Sequence, residues 1–357
     1  MDLAATGQEI NPAAAILART YELCGFSGRR REKIVSNVEG KLASTISRNE
    51  PLFEGLGGGR KSGAPRSRLK DIVRSSSGAE RCLLETLTLL APRTGREPKG
   101  MAEGEKIWKA WKKLRGLVSS LPRTEKKIRA HLSDAREPAE GEEEAGLLGE
   151  DSVDFVLTSP PYINVLNYHQ NYRASVEELG WDVLRAARSE IGSNRKFRRN
   201  RFLTVVQYCM DMAGCFRKLK RVARPSARMI FVVGRESSVL GTPFYNGELL
   251  RRVAEESGLL TLVQKQERAY RNRFGKNIKE DILHFEVGGG SPSGAKETAR
   301  RVGTGALRSA VGRAPSGSLE DLRAAITEAE DVSPSDIFDP EGQDTGFFSV
   351  APAADSR

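Results

Sequence analysis

The chain has 357 residues and a formal net charge of +10, from 57 Lys and Arg against 47 Asp and Glu. It is 38% hydrophobic, enough for one large domain or two ordinary ones. No run approaches the roughly 18 apolar residues of a membrane span, and the start MDLAATGQEI lacks the basic and apolar stretches of a secretory signal. The four cysteines (Cys24, Cys82, Cys209, Cys215) form no CxxC pair, which argues against a zinc knuckle or a disulfide framework. These features predict a cytoplasmic protein without a membrane partner or a resident metal. The basic surplus favours a polyanionic partner.

In chain order, Asn11-Pro12 ahead of AAAILARTYEL predicts a helix, with Asn11 as cap and Pro12 at the first helical position. Residues Gly55–Ser67, GLGGGRKSGAPRS, predict a flexible loop. Residues Glu105–Leu121 place Trp108, Trp111, Leu114, Leu117, Val118 and Leu121 on one helical face, expected to be core packing. Short apolar runs predict strands at Ile128–Leu132, Val153–Thr158, Met229–Val233, Leu259–Val263 and Asp281–Val287. Helices are expected at Ala174–Arg188, Phe202–Val222 and Gly247–Ser257. Strands alternating with helices imply an α/β layer with a largely parallel sheet. From Gly288 onward, GGGSPSGAKE leads into a tail expected to be mostly disordered, with one short helix near Ser318–Glu330 capped by Ser318.

Charge is segregated along the chain. Residues 25–130 hold 25 Lys and Arg against 11 acids, and 185–235 hold 14 against two. Residues 134–154 reverse this with nine acids and one Arg, and 315–357 carry ten acids and two Arg. Residues 25–127 predict a basic, mainly helical insert, either a target-recognition part or a scaffold on which a partner docks.

The residues that carry chemistry are Ser159-Pro160-Pro161-Tyr162, directly after the apolar run 153–157. Two prolines end the strand, since neither can donate to a ladder. The motif thus sits at the carboxyl end of a parallel strand, where open α/β sheets bind ligands. A hydroxyl at Ser159, an outward carbonyl at Pro160 and the flat ring of Tyr162 suit an amino group on a planar heterocycle.

Ser-Pro-Pro-Tyr after such a strand resembles the catalytic motif of S-adenosylmethionine-dependent DNA methyltransferases that act on exocyclic amino groups. The form beginning with Ser resembles the N4-cytosine branch; Asp or Asn in its place is more usual for N6-adenine enzymes. Gly7-Gln8-Glu9-Ile10-Asn11-Pro12 is similar to the family's G-x-D/E-x-N-P segment, and Ser133-Asp134-Ala135-Arg136 to its next motif. The three occur in the family's order, and the likeness covers residues 7–24 and about 128–287.

The resemblance implies a Rossmann-like class I methyltransferase fold with an antiparallel C-terminal hairpin, S-adenosylmethionine as cofactor and double-stranded DNA as partner. It implies that Ser159 and the Pro160 carbonyl accept from the amino group, that Pro161 fixes the turn, and that Tyr162 stacks on a base flipped out of the duplex. Glu9 would serve the cofactor ribose and Asp134 its adenine, with Asn11 and Ser159 also expected to bind the cofactor. A site-specific modification or restriction-linked role is natural for that family. The domain layout expected is 1–24 as the start of the catalytic domain, 25–127 as insert, 128–287 as catalytic domain and 288–357 as acidic tail.

One departure stands out. The family's first strand and its D-x-F-x-G-S-G-like loop have no counterpart, because Gly7 is only six residues from Met1. The alternatives are a misplaced start, a split enzyme whose second polypeptide supplies that strand, or an inactive DNA-binding remnant. An N6-adenine or RNA-base methyltransferase is a further alternative.

DNA contacts are expected from two sources. Asn164, Asn167 and Tyr168 follow the motif directly; His169 has no second metal ligand at useful spacing. Two cationic runs flank the site, 193–201 with Arg195, Lys196, Arg198 and Arg199, and 268–279 with Arg271, Arg273 and Lys276. Such loops neutralise phosphates without reading sequence.

Overall fold

A computed structural model describes residues 3–46, 64–92, 101–136, 148–163, 172–192, 197 and 199–340. The chain divides into two compact units, the first of residues 1–132, 169–183 and 340–357, the second of 133–168 and 184–339.

In the first unit, β1 (Ala5–Glu9) leads into α1 (Pro12–Arg19) and a 3-10 turn at Thr20–Gly25. Asn11 caps α1 as its sequence predicts, its side chain accepting from the Ala13 N–H at 3.0 Å. Four helices follow: α2 (Gly28–Thr45), α3 (Pro65–Arg74), α4 (Gly78–Leu90) and α5 (Glu103–Ser120). The expected loop at 55–67 therefore ends earlier, with Pro65 opening α3. β2 (Ile128–Leu132) pairs parallel with β1, and α6 (Arg173–Glu178) completes the unit.

The helices close a core of Val35, Val38, Leu42, Leu83, Leu87 and Trp111 among others; α2 and α5 bury one face at the 3–4 residue spacing, whereas α4 is buried all round from Cys82 to Leu89. On α5, Trp111, Leu114 and Val118 are buried, whereas Leu117 is 38% exposed, so the expected stripe is narrower than its sequence suggests. Trp108 is partly buried and donates its indole N–H to the Ile46 carbonyl at 3.1 Å. The buried Arg66 joins three helices, pairing with Glu178 at 2.7 Å and donating to the carbonyls of Thr88 and Ala91. The insert is helical as expected, but it forms one unit with β1, α1 and β2 rather than a separate piece at 25–127.

The second unit is a four-stranded sheet covered on one face by helices. Its strands are β3 (Val153–Thr158), β4 (Ala223–Gly234), β7 (Leu260–Arg271) and β8 (Asn277–Val287), in the order β3-β4-β8-β7. Only β3–β4 is parallel; β4–β8 and β8–β7 are antiparallel. The sheet is therefore mixed, not largely parallel. A small hairpin, β5 (Glu236–Val239) with β6 (Thr242–Tyr245), follows β4. The helices are α7 (Val183–Ser189), α8 (Leu203–Val222), α9 (Asn246–Glu256), α10 (Ala295–Ala310) and α11 (Leu319–Glu328).

The single helix expected at 174–188 is broken: Gly180 takes φ +99°, a conformation closed to most L-residues, between α6 and α7. The core stacks Phe216, Phe231 and Phe285 edge to face, with centroids 5.5 Å (Phe216–Phe231) and 5.6 Å (Phe231–Phe285) apart.

The expectation of a mostly disordered tail from Gly288 fails as far as Pro340. Ala299, Val302 and Leu307 of α10 and Leu322 and Ala325 of α11 are fully buried in the same core. Gly303 lets α10 approach α8 so closely that a Cβ there would meet the Val206 Cα at 2.7 Å. The short helix expected near Ser318–Glu330 is α11, but the Ser318 hydroxyl donates back to the Pro315 carbonyl at 3.2 Å and does not cap it. Residues 341–357 lie outside the described residues. No helix among the described residues is long and apolar enough to cross a membrane.

Candidate active site

β3 ends at Thr158, and Ser159 to Tyr162 run out beyond it beside the parallel neighbour β4. Ser159 is exposed, and its Oγ donates to the Val232 carbonyl of β4 at 2.9 Å. A hydroxyl has one hydrogen and two lone pairs. With the hydrogen given to Val232, the outer side of Oγ is an acceptor. Pro160 is buried and Pro161 half-buried, so the turn is fixed by packing as well as by ring geometry.

Two glycines hold Tyr162. A Cβ on Gly234, at the end of β4, would come within 2.9 Å of the ring's Cε2 and 3.2 Å of Cδ2. A Cβ on Gly192, which has φ +78°, would meet the Tyr162 carbonyl oxygen at 2.7 Å. Asn246, fully buried at the start of α9, ties the surrounding loops. Its Nδ2 donates to the Gly234 carbonyl at 2.8 Å, and its Oδ1 accepts from Ser237 Oγ at 3.2 Å. Neither Asn246 nor Gly192 stands out in the sequence, whereas Gly234 is expected beside the site from its place at the end of the strand MIFVV, and lies there. An Asn before a helix usually signals a cap, and only the fold shows what lies against it.

Beside Tyr162 the β7–β8 pair is dense in charge. The Tyr162 ring lies against Gly234, whose partner across the β4–β8 ladder is Glu280. Glu280 accepts from Arg268 and, at 3.2 Å, from the Tyr270 hydroxyl. Burial, then Glu280, pushes the Tyr270 phenol above its usual value. Arg235 bridges Glu267 at 2.7 Å and Asp281 at 3.1 Å. Arg271, Arg273 and Lys276 lie further along this hairpin, and Arg199 is exposed in its own loop. Asn164, Asn167, Tyr168, Arg195, Lys196 and Arg198 lie outside the described residues.

The four cysteines are all buried and unpaired. Burial pushes the thiols of Cys82, Cys209 and Cys215 to about 12, so none of these three offers a thiolate nucleophile near neutral pH.

The residues expected to serve a cofactor fall in different units. Glu9 closes β1 in the first, its Oε1 accepting from the Asn11 N–H at 2.8 Å. Asp134 lies in the second unit and is buried. Its Oδ1 accepts from the Arg136 N–H and Nε, both at 2.9 Å; its Oδ2 accepts from Arg136 Nη2 at 2.7 Å and the Phe338 N–H at 2.9 Å. Burial pushes its carboxyl up, but Arg136 and these donors outweigh that and hold it below the usual value. Both oxygens are thus engaged within the chain. As it stands this carboxylate does not fit an adenine-binding role; a cofactor amino group would meet it only after Phe338 lets go.

Comparison with family models, with curated proteins and with solved structures finds no match for this chain.

Proposed function

We propose that the chain transfers a methyl group to the exocyclic N4 of cytosine in DNA. The observation that carries this reading is the Ser159 hydroxyl, committed as donor to Val232 and so turned outward as an acceptor. An amino group entering there would donate one hydrogen to Ser159 and the other to the Pro160 carbonyl. Its lone pair would then point away from both. Tyr162, pinned by Gly234 and Gly192, would supply the face on which the extruded base rests. S-adenosylmethionine would supply the methyl group, and no covalent bond to the enzyme is needed. The resemblance alone assigns Glu9 and Asn11 to the cofactor.

Sheet order supports the reading. Doubly wound sheets run 3-2-1-4-5 across their centre. Within the second unit, β3 and β4 form one such parallel pair, followed by the antiparallel closing hairpin that the resemblance implies. Among the described residues β3 pairs only with β4, and its Phe155 and Leu157 are 51% and 66% exposed. Parallel strands are normally covered on both faces and flanked. The open apolar edge at the catalytic strand leaves room for one further strand with a glycine loop, supplied either by an upstream segment of the same chain or by a second polypeptide.

Ser159→Ala and Tyr162→Ala should each abolish methyl transfer, with that polypeptide supplied where required. Both should leave most duplex affinity, because phosphate contacts lie elsewhere. Full activity in either variant would overturn the site assignment.

A further inference from the structure

β7 and β8 do not stop where the sheet stops. β4 leaves the ladder at Gly234↔Glu280, while β7–β8 pairing continues through Ala269↔Lys279, Tyr270↔Ile278 and Arg271↔Asn277. The Arg235 N–H still donates to the Lys279 carbonyl at 3.0 Å, so two further pairs at about 3.4 Å each carry the arm roughly 7 Å past it, before the tip is added. The tip is built firmly. The Asn272 side chain accepts from the N–H of Phe274 and of Lys276, both at 3.0 Å, and Gly275 turns with φ +77°.

The arm's surface is unusual in two ways. Residues 269–279, AYRNRFGKNIK, hold four cations and no carboxylate. The acids at the arm's base are already paired: Glu280 with Arg268, Glu267 with Arg235, and Asp281 with Arg235 and Lys265. Arg271, Arg273 and Lys276 form no ion pair with a carboxylate among the described residues, while Lys279 feels the charge of Glu267. At the tip, Phe274 is 78% exposed, and the Arg273 guanidinium lies 4.7 Å over its ring.

We propose that the β7–β8 arm is a ribbon that enters a groove of duplex nucleic acid and wedges Phe274 between its bases. A major groove roughly 12 Å wide and 8.5 Å deep admits a two-stranded ribbon. The arm's reach therefore brings its tip to the groove floor. Arg271, Arg273, Lys276 and Lys279 then face phosphates on either wall, while an aromatic ring at the tip can enter a base step and unstack it. A lipid surface fits less well, because residues 271–277 present one large apolar side chain among cations and asparagines. Gly234, which lies against the Tyr162 ring, pairs with Glu280 at the arm's base, so a step opened by Phe274 lies near the place where the target base would be received. The inference rests on the nucleic-acid half of the proposed function and is independent of methyl transfer.

The test uses the full chain and a duplex carrying 2-aminopurine, without cofactor. Phe274→Ala should weaken binding about tenfold, the order of one lost base–aromatic stack. It should leave the salt dependence unchanged and abolish the 2-aminopurine fluorescence rise seen with the parent chain. Arg271→Ala, Arg273→Ala and Lys276→Ala together should lower the slope of log K against log salt by about 2–3, near 0.9 per phosphate contact. All these side chains are exposed, so melting temperatures should match the parent and exclude misfolding. Equal affinity and an equal fluorescence rise for Phe274→Ala would overturn the proposal. So would an unchanged salt slope in the triple variant, or binding to anionic vesicles in place of DNA. A chain that binds through Phe274 yet transfers no methyl keeps this inference and loses the proposed function. One that methylates DNA with Phe274→Ala indistinguishable in binding does the reverse.

Discussion

Replacing Arg136 by Met should be among the most damaging single substitutions in the second unit. Its guanidinium is 4% exposed and lies between Asp134 and Asp211, at 2.7 Å from each, with those carboxylates 2% and 0% exposed. It also donates to the carbonyls of Ser335 at 3.1 Å and Asp336 at 2.9 Å, fastening residues 335–338 to the core. Methionine would fill most of the space but leave two buried carboxylates without their cation. Breaking a buried pair from one side costs about 3–5 kcal/mol. For a unit of this size that is a fall in Tm of roughly 6–20 °C. The loss should shrink as pH falls, because protonation relieves the stranded carboxylates. Arg136→Lys should be intermediate, keeping the charge but not the fork that spans both acids. Urea unfolding at pH 7 and pH 5 measures this. A loss below about 1 kcal/mol, or one that does not depend on pH, would show that Arg136 is not neutralising two buried carboxylates.

Three further outcomes follow from the same region. Burial pushes Asp211 up to about 6 from 3.8, against the pull of Arg136 and Ser335. The folded state therefore holds this proton more tightly, and the contribution of Asp211 to stability falls as pH rises from about 4 to about 6, by up to roughly 3 kcal/mol. The stability of the parent relative to Asp211→Asn should decline across that window, and a flat difference would refute the shift. Gly303→Ala should destabilise by about 1–3 kcal/mol although alanine favours helix, because its methyl would meet Val206 backbone at 2.7 Å; a gain in Tm would show that α10 is not docked as described. If Asp134 serves a cofactor, saturating S-adenosylmethionine should raise hydrogen exchange at the Phe338 amide, which now donates to it. Unchanged exchange with the cofactor bound would remove Asp134 from the site.

The sequence made some of this legible and hid the rest for physical reasons. Ile128–Leu132 and Val153–Thr158 are short apolar runs bounded by polar residues, and both strands fall at those limits. Asn11-Pro12 carries its own local cap chemistry, so the start of α1 needs no tertiary context. α10 was opaque because its buried face is built from small residues such as Ala295, Ala299 and Gly303, which carry little hydrophobic signal. Its stability comes from close approach to α8, a long-range property. The break at Gly180 was lost for the opposite reason, since apolar periodicity continues through Trp181 and Val183. At the site, Ser159 to Tyr162 was visible as a motif. The supports Gly192 and Asn246, and the Arg136 network reaching 200 residues along the chain to Asp336, are created only by folding.

Methyl transfer itself is tested most directly by nucleoside analysis. Duplex DNA incubated with the chain, the candidate second polypeptide and S-adenosylmethionine is digested to nucleosides and examined by mass spectrometry. N4-methylcytosine is the expected product, absent when Ser159 is replaced by alanine. N6-methyladenine in its place, or no methylated base under any of these conditions, would contradict the proposed reaction.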